Sequence, residues 1–98
     1  MAQRRRPIHP GEILVSEFMQ PLGVGQTELA EAIGVPPRRL EQVIAGKRPV
    51  SADLDLRLAR FLGLPEGFFL RMQLEHDLDV ARDRLGARLA AEIRPRAA

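Results

Sequence analysis

Arg38 and Gln42 stand four residues apart, and both carry side chains suited to the edges of bases. Arginine forms a bidentate pair with guanine O6 and N7, and glutamine forms one with adenine N6 and N7. Arg39, beside the first, is a further candidate reader. Lys47 and Arg48 follow Gly46 and carry charges suited to phosphate oxygens. Gln26 opens an apolar-periodic stretch, and an amide at the positive end of a helix can also bond a phosphate oxygen. Residues 36–48 hold four cations against Glu41 alone. Four cations also describe an ordinary solvated face, so the elements that carry them have to give them direction.

Those elements lie in residues 26–48, QTELAEAIGVPPRRLEQVIAGKR. Leu29, Ala30 and Ile33 form one apolar stripe at helical spacing, and Leu40, Val43 and Ile44 form another. Between them stand Gly34-Val35 and Pro36-Pro37. Glycine supplies the left-handed position just past a helix, and proline fits the first helical position, where its missing donor has no partner to lose. The first helix therefore stops near Ile33 and the second starts near Pro37 and ends at Ala45-Gly46. Two helices joined by so short a turn cross steeply, as in a helix-turn-helix. Arg38 and Gln42 then project from the stripe opposite the buried one.

The remainder reads as support. His9-Pro10-Gly11-Glu12 opens a helix whose buried face is Ile13, Leu14 and Phe18, with Pro21 and Gly23 stopping it. Ser51 caps a fourth helix, helped by Asp53 and lined by Leu54, Leu58, Phe61 and Leu62, and Gly63 ends it. Pro65-Glu66 starts a fifth helix carrying Phe68, Phe69 and Met72. A second stripe on that helix, Leu70, Leu74, Leu78, Ala81 and Leu85, exceeds what one packing face requires. It is either a wide core face or a surface for another chain. The small body favours partner contact, through Leu74, Leu78, Ala81 and Leu85. After Gly86 the helix can extend to Ile93, before Pro95.

Ninety-eight residues suffice for one domain with a modest core, which must be aliphatic because aromatics are only 4%. We divide the chain into a flexible basic arm (1–8), a helical domain (9–85) and a basic tail (86–98). The arm is either solvated or able to reach a minor groove. The net charge of +2 conceals a middle section, residues 11–81, with seven basic and eleven acidic residues. A local basic patch on an acidic body fits oriented docking on a phosphate backbone better than indiscriminate polyanion binding. No apolar run approaches a membrane span, and the arginine-rich start lacks the apolar core of a secretory signal. The absence of cysteine excludes disulfides and thiolate metal sites and permits a reducing cytoplasm, where we place the chain.

An enzyme needs convergent titratable groups. Here the two histidines are far apart in sequence and no glycine-rich phosphate loop adjoins a strand. Glu75-His76-Asp77 looks like a ligand cluster, but consecutive residues point around a helix in different directions, so it reads as a solvated face. No catalytic group, metal or cofactor is expected. An interaction module without DNA binding is opposed by the Arg38 and Gln42 stripe.

With its Q-x-x-L-A, I-G-V and G-K-R landmarks, the segment from Gln26 to Pro49 resembles the Cro/repressor (Xre) helix-turn-helix domains. The longer set His9-Pro10-Gly11-Glu12, Pro21-Leu22-Gly23, Phe68-Phe69-Leu70, Gln73 and Asp77-Leu78 resembles the HigA (VapI-like) antitoxins over about residues 8–85. That resemblance implies an all-α, five-helix lambda-repressor-like domain with an extended C-terminal helix. It implies a homodimer on double-stranded, palindromic operator DNA that represses its own operon, and a RelE/HigB-like mRNA-cleaving toxin as partner. A stand-alone Xre-type repressor would use the same DNA surface. The family's DNA contacts fall on Gln26, Pro37, Arg38, Gln42 and Lys47. Pro36 and Pro37 replace the family's usual Ser or Thr cap and polar residue, Ala45 an often polar residue, and Phe69 a usual tryptophan, so base readout leans on Arg38, Arg39 and Gln42.

Overall fold

The structure is a computed structural model that describes residues 6–97; residues 1–5, most of the basic arm, lie outside the described residues. The chain is all-helical among those residues, with six helices. Helix α1 is continuous through three segments, Pro10–Ile13, Leu14–Met19 and Gln20–Leu22. It is followed by α2 (Gln26–Ile33), α3 (Pro37–Ile44), α4 (Ala52–Leu62), α5 (Phe68–Leu85) and α6 (Arg88–Glu92). None is long and apolar enough to cross a membrane.

Helix α1 ends at Gly23, as the sequence suggested, but Pro21 lies inside its last turn. In a regular α-helix the Pro21 ring would crowd the Glu17 carbonyl. The middle segment is π-helical instead, with the Gln20 N–H donating to the Val15 carbonyl five residues back. The wider turn carries the chain past the proline, and Gly23, at φ +68°, ends the helix.

The α2–α3 pair forms where the periodicity placed it. The Gly34 N–H donates to the Glu31 carbonyl at 3.3 Å and the Val35 N–H to the Ala30 carbonyl at 3.0 Å. This closure needs a left-handed residue, and Gly34 has φ +72°. Helix α3 ends in the same way. Gly46, at φ +75°, lets the Lys47 N–H donate to the Gln42 carbonyl at 2.9 Å.

The core is aliphatic around one aromatic plug. Leu14, Leu29, Leu40, Val43, Leu54 and Leu58 enclose Phe69, which is 0% exposed. Phe18 and Phe68 meet Phe69 edge-on, with centroids 5.7 and 5.1 Å away. Full burial of such a ring contributes about 1.5–3 kcal/mol, and phenylalanine brings no N–H that would need a partner there. Phe61, expected in the α4 core stripe, is exposed and lies instead beside Arg57 and Arg60.

Helix α5 begins at Phe68 and not at Pro65, and its cap comes from another helix. Asp55, on the buried face of α4, accepts the N–H groups of Gly67 at 2.6 Å, Phe69 at 2.8 Å and Leu70 at 3.1 Å. These amides have no intrahelical acceptor, and a carboxylate there also meets the positive end of the helix. At the other end Gly86, at φ +51° and ψ −131°, breaks the helix, so the expected C-terminal extension is a separate short helix, α6.

Candidate nucleic-acid interface

Helix α3 buries Leu40 and Val43, packs the half-buried Ile44 against the core, and exposes Pro37, Arg38 and Glu41. Arg38 is exposed and Gln42 half-buried one turn further on, sharing a stripe. Pro37 occupies the first turn with Pro36 as the extended residue before it, and no side chain caps that end. The Arg39 and Leu40 N–H groups close on the Pro36 carbonyl at 3.0 and 3.3 Å. Gln26, exposed, begins α2 behind Gly25, which contributes no side-chain cap. Lys47 and Arg48 are exposed in the loop that the Gly46 turn folds back onto α3.

Arg39 departs from this set. Its Nη2 donates to Ser51 Oγ at 2.9 Å and its Nη1 lies 4.0 Å from Asp53. The same Ser51 oxygen accepts the Leu54 N–H at 3.1 Å and so caps α4, as the sequence suggested. Arg57 extends the network, pairing with Asp53 at 3.1 Å and donating to the Ile33 carbonyl at 2.9 Å. Arg39 thus braces α3 against α4, while Arg38 and Gln42 make no side-chain bond of this kind. That Ser51 was a cap made Asp53 legible; that it also holds Arg39 was not.

The N-terminus of α1 is the platform under α3. A Cβ on Gly11 would collide with the Val43 carbonyl oxygen and stand 2.9 Å from Ile44 Cα. His9 closes a capping box: its Nδ1 accepts the Gly11 N–H at 3.0 Å, and Glu12 accepts the His9 N–H at 3.2 Å. Arg6 forks onto Glu12 at 2.6 and 3.0 Å and holds that carboxyl down to about 2. The described end of the basic arm is therefore tied to α1.

His9 is buried and meets His76 edge-on, with ring centroids 5.0 Å apart. Burial, then the neighbouring His76, lowers its pKa from the usual value, against opposing pulls from Asp77, Glu12 and a backbone hydrogen bond to Arg48. Since Nδ1 accepts the Gly11 N–H, the neutral ring carries its proton on Nε2. His76 Nδ1 lies 3.3 Å from Asp77, and Gln73 donates to the same carboxylate at 2.8 Å. Gln73 Oε1 accepts the Val50 N–H at 2.8 Å. Glu75 and Asp77 are exposed, as a solvated face requires, while Asp77 and the half-buried His76 also join the side-chain network that ends on Gln73. The sequence carried one signal for it, since Gln73 falls four residues after Phe69 on the buried stripe of α5. Among the described residues no three His, Cys, Asp or Glu side chains gather as a metal site.

The second stripe of α5 is largely uncovered. Leu74 is 57% and Leu78 39% exposed, while Ala81 and Leu85 are half-buried. Leu70 alone packs on the core.

Residues 15–69 match the profile of the helix-turn-helix family. Virulence-associated protein I of Dichelobacter nodosus is 40% identical over 74 residues, 76% of this chain and 68% of that protein. Antitoxin HigA-1 of Vibrio cholerae is 37% identical over 81 residues, covering 83% and 76% of the two chains. Among solved structures, Pseudomonas aeruginosa antitoxin HigA with the higBA promoter superposes with a TM-score of 0.88 at 34% identity, over 94% of this chain and 100% of that one.

Proposed function

This chain belongs to the helix-turn-helix family, and from that premise we propose that it is a DNA-binding antitoxin that represses its own operon. A homodimer presents two α3 helices to successive major grooves, about 34 Å apart. Arg38 and Gln42 read base edges, while Gln26, Lys47 and Arg48 fix register on phosphates and Pro37 sits against the groove wall. Arg39, held by Ser51, braces the reading helix. The observation that carries this reading is the division of α3: Leu40 and Val43 are sealed in the core while Arg38 and Gln42 stay outward without a side-chain partner of their own. The similarity to antitoxins, one of them solved with promoter DNA, supports it.

The dimer forms through the uncovered stripe of Leu74, Leu78, Ala81 and Leu85. The toxin it neutralises is of the RelE/HigB-like mRNA-cleaving kind, in the cytoplasm. The direct test expresses the adjacent short reading frame alone and then with this chain. Growth arrest by the neighbour, relieved by this protein and accompanied by co-purification, is the expected result. A harmless neighbour leaves a dimeric repressor without a toxin.

A further inference from the structure

We propose that His9, His76, Asp77 and Gln73 form one positioning unit that fixes the Lys47–Arg48 loop for its phosphates. The inference rests on the reading of that loop as a phosphate-contacting one. The loop is held at both ends. At one, the His9 ring packs against Gly46, whose Cβ would stand 3.9 Å from His9 Cγ. At the other, the Val50 N–H ends on Gln73. Between these points the path closes through the His9–His76 ring contact, the His76–Asp77 pair and the Gln73–Asp77 bond.

Pro49 has no N–H to contribute, so side chains must do for residues 48–50 what a ladder of backbone bonds does elsewhere. His9 and Gln73 are both buried, and no buried side-chain nitrogen or oxygen among the described residues lacks a partner. The Gln73 amide is thus divided between the Val50 N–H and Asp77, and His9 Nδ1 is committed to the α1 cap. Fixing the loop in advance removes the ordering that two flexible cations would otherwise undergo on binding. The unit touches no DNA and acts only through Lys47 and Arg48.

The test measures binding of the full chain to a mixed-sequence DNA duplex over a range of salt, well below each variant's melting temperature. His9→Asn keeps an acceptor for the Gly11 N–H but removes the ring. Compared with His9→Ala, it should regain melting temperature while affinity stays about fivefold to tenfold below wild type. Gln73→Met should lower affinity by a similar factor. Neither change should matter further in a chain carrying Lys47→Ala and Arg48→Ala, because the groups they position are gone. Full recovery of affinity by His9→Asn, or losses that persist undiminished without the two cations, would overturn the unit. If Lys47→Ala leaves affinity and salt slope unchanged, the phosphate reading of the loop fails first, and the unit with it.

Discussion

Gly11 lies directly against the Val43 carbonyl, so the first turn of α1 and the last turn of the reading helix touch backbone to backbone. No side chain can stand between them, which gives the glycine of His9-Pro10-Gly11-Glu12 a steric reason. Gly11→Ala should destabilise the fold by about 1–3 kcal/mol through overpacking, despite alanine's better helix propensity. Calorimetry should register this as a fall in Tm of roughly 4–8 °C per kcal/mol. An unchanged Tm would mean that the two helices can separate freely.

Arg38 and Arg39 are neighbours with opposite expected behaviour. Arg38→Ala should weaken operator binding by about 1–3 kcal/mol and relax sequence preference at one position in each half-site. Arg39→Ala should leave that preference intact and lower stability by about 1 kcal/mol, since it removes a donor from Ser51. Selection of bound sequences from a random pool, alongside denaturant melts, separates the two. Equal loss by Arg38→Ala on operator and random DNA would end its reading role.

His9 makes stability depend on pH. Its pKa in the fold lies below the ordinary imidazole value of about 6.5, so near that value the unfolded chain binds more protons than the folded one. The contribution is therefore fully present above about pH 6.5 and is lost as pH falls through 6.5 towards the lower folded value. A protonated Nδ1 also cannot accept the Gly11 N–H. Glu12, at about 2 in the fold against 4.5, adds a second loss at more acid pH, between those values. Melts across this range should show both declines in the wild type and only the second in His9→Asn.

Leu74→Glu with Leu78→Glu should raise the dimer dissociation constant by about a hundredfold or more, given roughly 1.5–3 kcal/mol for burial of each leucine. Sedimentation equilibrium would report monomer, with helicity unchanged because both positions are exposed. A dimer that persists would move the interface elsewhere.

The helix-turn-helix was legible because its evidence is local. Two stripes at 3.6-residue period, Gly34 and the prolines fall within a span of 23 residues, and both helix ends came within a residue or two of the observed ones. Contacts distant in sequence left fainter traces. His9 and His76 are separated by nearly the whole domain, so nothing local in the sequence joined them. Asp55 shares the first turn of α4 with Asp53, and the sequence alone assigned it no role. Its position between Leu54 and Leu58 on the buried stripe was the clue, because a carboxylate there needs donors brought from another helix. Pro21 and Gly23 marked the end of α1 correctly, but the π-helical segment before them has no composition signal of its own.

The same aspartate binds two helices into a single exchanging unit. Amides at a helix start ordinarily trade their hydrogens through small fraying motions, at little free energy. Those of Gly67, Phe69 and Leu70 end on a side chain anchored in the middle of α4, so they can open only when α4 itself gives way. Deuterium should therefore enter the start of α5 as slowly as it enters the heart of α4, while α6, beyond Gly86, exchanges quickly.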